Sequence, residues 1–277
     1  MIKKTIFKYM LLSLFAFATF NACQSEEGEP EVVEEAVSND LLSKLVDLDF
    51  DISNAKNATM FGETGVRVED MFLTEKQINE LLLSEQGDAK QYRTTNLVKK
   101  LPRVITIAVS PDLGALGSDA LDDAINMYNN VGSRITFQRV AFGLRGRNKA
   151  KIQVTAFSEQ PSGGFITLGV AAGFPTRKGD PAKSFGINTV WFDLLNPSQA
   201  EVAGTMAHEI GHCIGFRHTD YQTRSSCGQN VNEGSAGVGA VYINGTPTGS
   251  DPTSLMQACG PAQTLNNNDI TALLDMY

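Results

Sequence analysis

Between residues 39 and 96, apolar positions recur at helical spacing twice, in "NDLLSKLVDL" and "TEKQINELLLSEQ". Recurrence every three or four residues gathers them on one face of a helix. Thr74 stands at the N-cap of the second and Gln77 three residues on, the pattern of a capping box. Between the two, the alternation in "FGETGVRVEDMFL" predicts a short strand, and "KQYRTTNLVKKLP" reads as a polar connector. From residue 103 onward strands and helices interleave. "RVITIAV" (103–109), "SRITFQRV" (133–140), "AKIQVTAF" (150–157), the glycine-rich "GGFITLGVAAGFP" (163–175) and "INTVWFDL" (187–194) predict strands. "SDALDDAINMYNNV" (118–131) predicts a helix capped by Ser118, with Leu121, Ala124, Ile125 and Tyr128 along one face. A further helix begins at "NPSQAE", where Ser198 and Glu201 form a capping box. A long loop rich in Gly, Ser, Thr and Asn fills 219–253, and "LNNNDITALLDMY" closes the chain as a short helix. The interleaving predicts an α/β unit.

The first 22 residues follow another pattern. Lysines at 3, 4 and 8 precede an apolar run from Tyr9 to Phe20, and Cys23 follows. These are the basic and apolar regions of a signal peptide, and the run is short for a membrane span. "FNAC" resembles a bacterial lipobox, with Phe20 in place of the usual leucine. That resemblance implies that Cys23 becomes the lipidated first residue of the mature chain, held in the membrane by several acyl chains. An uncleaved anchor and a secreted protein cut just before Cys23 are the alternatives. Residues 23–38 are predicted to be an acidic, extended tether, with six glutamates between 26 and 35. An acidic stretch after a lipidated cysteine resembles the surface-export signal of some Gram-negative lipoproteins; the alternative is a solvated spacer. The expected organisation is therefore a lipoprotein signal peptide (1–22), a tether (23–38), a pro-segment or accessory region (39–96) and a main domain (97–277).

Composition narrows the classes further. With 42% hydrophobic residues the chain can build a core, and no 18-residue apolar run follows residue 22. The formal charge is −8, and losing the leader removes three lysines and no acids. A chain this acidic is a poor partner for nucleic acid. Beyond Cys23 only Cys213, Cys227 and Cys259 remain, which outside the cytoplasm predicts one disulfide and one free thiol. Cys227–Cys259 is the favoured pair, tying the loop after the histidines to the later "LMQAC" turn.

Candidate chemistry concentrates in one stretch. The chain has three histidines, all within "HEIGHCIGFRH": His208, His212 and His218. On a helix, His212 falls ~40° from His208 and one turn further on, the same face. Ala203, Met206, Ala207, Ile210 and Ile214 fall on the opposite, core-seeking face, so the histidines are not packing residues. Gly215 can take the left-handed conformation that stops a helix. The chain can then reverse through Phe216 and Arg217 and return His218 to the same point. Three imidazoles suit one Zn²⁺ with a fourth position open, the arrangement of catalytic zinc. Glu209, ~100° from His208, stands beside that face, where it can serve water at the metal as general base. Cys213, about 100° round from His212, is poorly placed to ligate. At ordinary residue usage HExxHxxGxxH arises by accident in roughly 10⁻⁵ of chains this long.

That extended motif is the signature of the metzincin zinc peptidases, and "HEIGH" at 208–212 resembles the dual-action HEIGH metallo-peptidase family in particular. "SLM" (254–256) resembles the Met-turn, which implies that Met256 is the apolar floor beneath the zinc; taken alone, the residue reads as core. "GTPTGSDP" (245–252) and "KQYRT" (90–94) resemble the same family, and the terminal helix is similar to that of matrixins. Over about residues 90–277 the resemblance implies an α/β (α+β), metzincin-like zincin fold. Its twisted, mostly parallel five-stranded sheet lies over an active-site helix, followed by a small C-terminal subdomain with the Met-turn. It also implies that "FITLGVAAG" (165–173) is the cleft's edge strand, to which an extended peptide adds; an ordinary sheet strand is the alternative. There are departures. No histidines remain for the second, structural zinc of matrixins, and residues 24–96 hold no cysteine for a cysteine switch. If 39–96 inhibits, a carboxylate such as Asp70 has to cap the zinc; a non-inhibitory accessory region fits equally. Asp220 reads either as a residue orienting a ligand or as a solvated loop acid.

The reading these residues support is a zinc-dependent endopeptidase at a bacterial envelope, lipid-anchored in the outer membrane, surface-exposed or secreted. Protein or peptide is the expected substrate, the membrane is reached through the N-terminal lipid, and a monomer is expected. A non-catalytic, zinc-containing surface binding lipoprotein on the same scaffold is the alternative, disfavoured by the intact Glu209. Hydrolysis of a cell-wall peptide shares the site and differs only in the cleft. Calcium is not derivable from the residues.

Overall fold

The structure is a computed structural model in which residues 36–48, 50–82, 92–234, 237–247 and 249–277 are described. The signal peptide, Cys23, most of the tether and the end of the second predicted helix lie outside the described residues. In chain order come α1 (Asn39–Asp47), β1 (Lys56–Met60), β2 (Glu63–Val68), β3 (Met71–Leu73) and α2 (Glu75–Leu82). Then follow β4 (Tyr92–Arg93), β5 (Arg103–Val109), α3 (Gly114–Asn129), β6 (Ile135–Arg139), β7 (Ile152–Phe157), β8 (Gly169–Ala171) and β9 (Ser184–Asn188). The chain ends with α4 (Thr189–Leu195), α5 (Gln199–Ile214), β10 (Val241–Tyr242) and α6 (Asn267–Met276).

Strands β6, β5, β7, β9 and β8 lie side by side in that order, all parallel except β8, which runs antiparallel to β9. This is the mixed α/β, mostly parallel sheet expected. It does not stop at five strands. The β1–β2–β3 meander continues it past β8, where β3 pairs in parallel at Met71↔Ala171, making eight. Helices α3 and α5 pack against each other beneath the sheet around Ile105, Ile107, Leu121, Val154 and Ile210. Tyr128 of α3 donates its buried hydroxyl to Ala207 O at 2.7 Å, which satisfies a polar group the core would otherwise strand.

Local boundaries moved for identifiable reasons. Helix α3 begins at Gly114, ahead of Ser118, because a turn over Pro111–Leu113 capped by the Ser110 side chain feeds straight into it. Ser118 instead receives Arg139 Nη2 at 2.7 Å. Of residues 163–175 only Gly169–Ala171 is strand; Gly163 and Gly164 turn the chain so that Ser162 and Phe165 pair. Residues 187–194 are not one strand. Asn188 ends β9 and its side chain accepts from Val190 N, so Trp191 lies on helix α4. Thr74 and Gln77 do close a reciprocal box on α2, at 2.8 and 3.3 Å.

Residues 35–277 form one compact unit. Within it the N-terminal segment has its own apolar cluster, Leu45, Leu48, Val66, Val68, Met71, Leu73 and Ile78, which packs onto Ala171 and Val238. Polar clamps reinforce it. Arg67, buried, pairs with Glu159 and donates to Thr167 Oγ1 at 2.6 Å, and Gln77 Nε2 donates to Ala172 O at 3.1 Å. As a result helix α5 is buried from Val202 to Ile214, including the face that carries the histidines.

Candidate metal centre

Helix α5 is placed by signals at both ends. Ser198 and Glu201 form a complete capping box, and Gly215 ends the helix at φ 113°. Phe216 then bonds back to Gly211 O, and Arg217 N donates to Tyr92 O at 2.8 Å, so β4 holds the returning strand. Thr219 N donates to Met256 O at 2.8 Å. These bonds bring His218 against the helix. The three Nε2 atoms stand 3.1, 3.2 and 3.3 Å from one another.

The second nitrogen of each ring is committed elsewhere. Nδ1 of His208 donates to Leu255 O at 2.8 Å, that of His212 to Phe216 O at 2.9 Å, and that of His218 to Glu233 Oε1 at 2.8 Å. With the protons on Nδ1, three bare Nε2 lone pairs converge on one point. Asp70 Oδ2 joins them at 2.7 Å from His218, 3.6 Å from His212 and 3.7 Å from His208. Four acceptors facing each other repel unless a cation lies between them. Imidazole nitrogens with a carboxylate are a donor set that zinc accepts.

Asp70 and Glu69 are the two residues of the turn between β2 and β3, closed by the Val68↔Met71 pair. The hairpin tip thus enters the histidine cluster. Burial pushes His212 down to about 4. Burial also pushes Glu209 well above the ordinary carboxylate range, with the Asp70 charge adding to it. Glu209 lies on α5 beside the cluster, and its Oε2 is buried without a hydrogen-bond partner among the described residues. Gly169 of β8 leaves the space it occupies: a Cβ there would stand 2.8 Å from Glu209 Cδ and Cγ. Gly169→Ala is therefore expected to displace the carboxylate and cut peptidase activity about tenfold or more while zinc content stays at one, measured by metal analysis beside peptide assays.

Glu233 gave no sign of itself in the sequence beyond being one of few acids in the loop 219–253. Through His218 Nδ1 it fixes the ring and strengthens its basicity, and it also accepts from Arg224 at 2.6 Å. Glu233→Gln is expected to weaken zinc binding about 10- to 100-fold in chelator competition, with little change in fold by circular dichroism. Asp220 does neither thing expected of it. It is buried and accepts from Ser226 N and Oγ and from Ala258 N, which ties the loop to the 254–259 segment. Cys227 and Cys259 are joined by a disulfide across the same junction, and Cys213 is a free, buried thiol. Met256 is buried with its sulfur against Gly211, where a Cβ would come within 2.5 Å of it. Asp269, the N3 residue of α6, accepts from Ser254 Oγ at 2.6 Å and Leu255 N at 2.9 Å, and so holds the carbonyl that orients His208. Cys23 lies outside the described residues.

Residues 66–277 match the family described as dual-action HEIGH metallo-peptidase, a span that takes in the hairpin tip, the histidines and Met256. The chain belongs to this family. It is a zinc metallopeptidase, and its substrates are proteins or peptides. Among solved structures, one of myroilysin is similar at 16% identity and TM-score 0.44, covering 67% of this chain and 97% of that one. Another, high choriolytic enzyme 1, a hatching-enzyme zinc-protease from the medaka fish Oryzias latipes, is similar at 15% identity and TM-score 0.36, covering 63% and 88%. No curated protein matches the sequence.

Proposed function

We propose that this HEIGH metallopeptidase is a latent endopeptidase of the bacterial envelope, lipid-anchored at Cys23, with Glu209 as general base and residues 39–82 as an inhibitory segment. One observation carries the reading: Asp70 Oδ2 lies within 3.7 Å of all three histidine Nε2 atoms, beside Glu209. His208, His212 and His218 would hold zinc, with Asp70 in the remaining position while the segment is in place. Zinc bound there supplies Lewis acidity, which polarises the scissile carbonyl and makes a water easy to deprotonate. Glu209, buried and with a raised pKa, is suited to take that proton and pass it to the departing amine. Met256 lies as a floor under the histidine helix, in keeping with a Met-turn.

The second half of the inhibition is steric. An extended substrate adds to a sheet edge through main-chain hydrogen bonds. In the full chain that edge of β8 is taken by β3, with Ala171 N donating to Asp70 O at 3.0 Å. Displacing the hairpin frees both the edge and the metal position. The anchoring part of the reading is supported by the basic leader, the apolar run and "FNAC".

The test is metal analysis of the full chain together with cleavage of a mixed peptide library, before and after removal of zinc by chelator. Mass spectrometry of the mature N-terminus reads acylation of Cys23. One zinc per chain with chelator-sensitive internal cuts supports the reading. Zinc without any cut, in the full chain and in its Asp70→Ala form, turns it toward a binding lipoprotein.

A further inference from the structure

The connection from β6 to β7 carries a charge opposite to that of the chain as a whole. Residues 139–157 hold the cations Arg139, Arg145, Arg147, Lys149 and Lys151 and no aspartate or glutamate. Arg139 pairs with Asp122 at 2.5 Å. The other four are exposed, and none forms an ion pair or a side-chain hydrogen bond among the described residues. Asp180 feels the charge of Lys151, but its carboxylate is itself held by Arg103 Nη2 at 2.6 Å.

Apolar side chains stand among these cations. Val104 is 57% exposed, Leu144 42% and Phe142 37%. Val104 and Leu144 line an open groove of about 380 Å³ together with Arg147, Lys149 and Lys151. The groove lies on the outer face of β5, where Val104 and Thr106 alternate with the buried Ile105 and Ile107. Its rim is a built turn. Gly143 and Gly146 take φ 80° and 61°, and Lys149 N closes on Gly146 O at 3.2 Å. Strands β7 and β9 separate β5 from β8, about 14 Å across the sheet, so a ligand here does not occupy the edge of β8.

We propose that this patch docks the protein on a membrane surface. Arg145, Arg147, Lys149 and Lys151 bind phosphate groups of anionic lipids there, and Leu144 and Phe142 enter the headgroup layer. Two features together select this occupant. Guanidinium and ammonium groups without partners complement phosphate. The apolar side chains between them gain nothing from a polyanion such as nucleic acid, but are covered at the boundary of headgroups and acyl chains. The proposal rests on the lipid anchor in the reading above, which supplies the membrane, and on no step of the peptide chemistry. Acyl chains at Cys23 hold only the N-terminus, and the loop adds the contact that orients the body.

The experiment uses residues 24–277, which keep the whole compact unit and carry no acyl chain. Co-sedimentation is measured with vesicles of phosphatidylcholine alone and of phosphatidylcholine with about one third phosphatidylglycerol. The chain is acidic overall, so net charge opposes the anionic vesicles and attraction has to come from the patch. Binding to them is expected to exceed binding to the neutral ones about tenfold or more, and to fall away at about 0.5 M salt. Replacing Arg147, Lys149 and Lys151 together by glutamine should weaken it about tenfold or more. Leu144→Ser with Phe142→Ser should weaken it severalfold at unchanged salt dependence. These side chains are exposed, so the melting temperature is expected to hold. Lys149→Gln and Lys76→Gln change the net charge equally, and only the first should weaken binding; Lys76 lies on α2, with its side chain 83% exposed.

Equal binding to both vesicles, binding to neither, or binding that survives the triple substitution overturns the proposal. Equal losses from Lys149→Gln and Lys76→Gln assign the effect to net charge and overturn it as well. Binding that needs the cations but ignores Leu144 and Phe142 marks a polyanion site and overturns the lipid assignment. A Cys23 found without acyl chains fails the anchoring reading alone and leaves the vesicle result standing.

Discussion

Replacing Asp70 by alanine in the full, zinc-loaded chain is expected to raise cleavage of a library peptide about ten- to a hundredfold. The magnitude follows from one charged contact at the metal position, a class of interaction that contributes about 1.5–3 kcal/mol. A factor of ten corresponds to about 1.4 kcal/mol. Full activation is not expected from this change alone. Val66, Val68, Met71 and Leu73 stay buried against the body of the protein, Arg67 stays paired with Glu159, and β3 stays on the edge of β8. Asp70→Ala thus frees the fourth position without evicting the strand. Asp70→Asn separates charge from shape, since the amide fits the turn and lacks the anionic oxygen. The measurement is initial rate against peptide concentration for the three forms at matched zinc content. If alanine and asparagine leave the rate of the full chain unaltered, residues 39–82 are an accessory region and not an inhibitor.

How much of this was legible in the sequence depends on the range of the interaction. The histidine cluster was legible because two ligands sit one turn apart on a helix whose start and stop are written in adjacent residues, Ser198, Glu201 and Gly215. The third needs only a short reversal. Val, Trp and Phe in succession carry β-propensity and predict a strand through Trp191, but Asn188 stops the strand with its side chain and starts a helix. Strand β1 went unseen because "KNATM" has no alternating apolar face. It exists by pairing with β2 through a turn at Phe61 and Gly62, both at positive φ. The parallel pairing of Met71 with Ala171 joins segments far apart in the chain, and nothing local announces it. Asp70 could be named from chemistry, as a carboxylate needed once cysteine was excluded. The acid Glu233 could not, because it matters only through a partner that folding brings to it.

The largest effect expected is from Glu209→Gln, measured on the Asp70→Ala background so that no carboxylate of the hairpin faces the histidines. The amide keeps the shape of the side chain and cannot take a proton. Loss of a general base lowers rate about 10²- to 10⁴-fold. Zinc should be retained at one per chain, because none of the bonds that aim the histidines involves Glu209. His208 is held by Leu255 O, His212 by Phe216 O and His218 by Glu233. Misfolding is a poor rival explanation for such a loss. Glu209 is buried, its Oε2 is unpartnered among the described residues, and Gly169 of β8 lies against it. Removing a carboxylate from that environment takes away a desolvated acid, so thermal stability should hold or rise slightly. The decisive pattern is an unchanged metal content and melting temperature together with peptide binding that survives while turnover collapses. A variant that turns over within a few-fold of its parent would remove Glu209 from the chemistry and leave the proton transfer to another group. A variant that lost zinc in proportion to rate would mean that Glu209 supports the ligand cluster and does not act on the substrate.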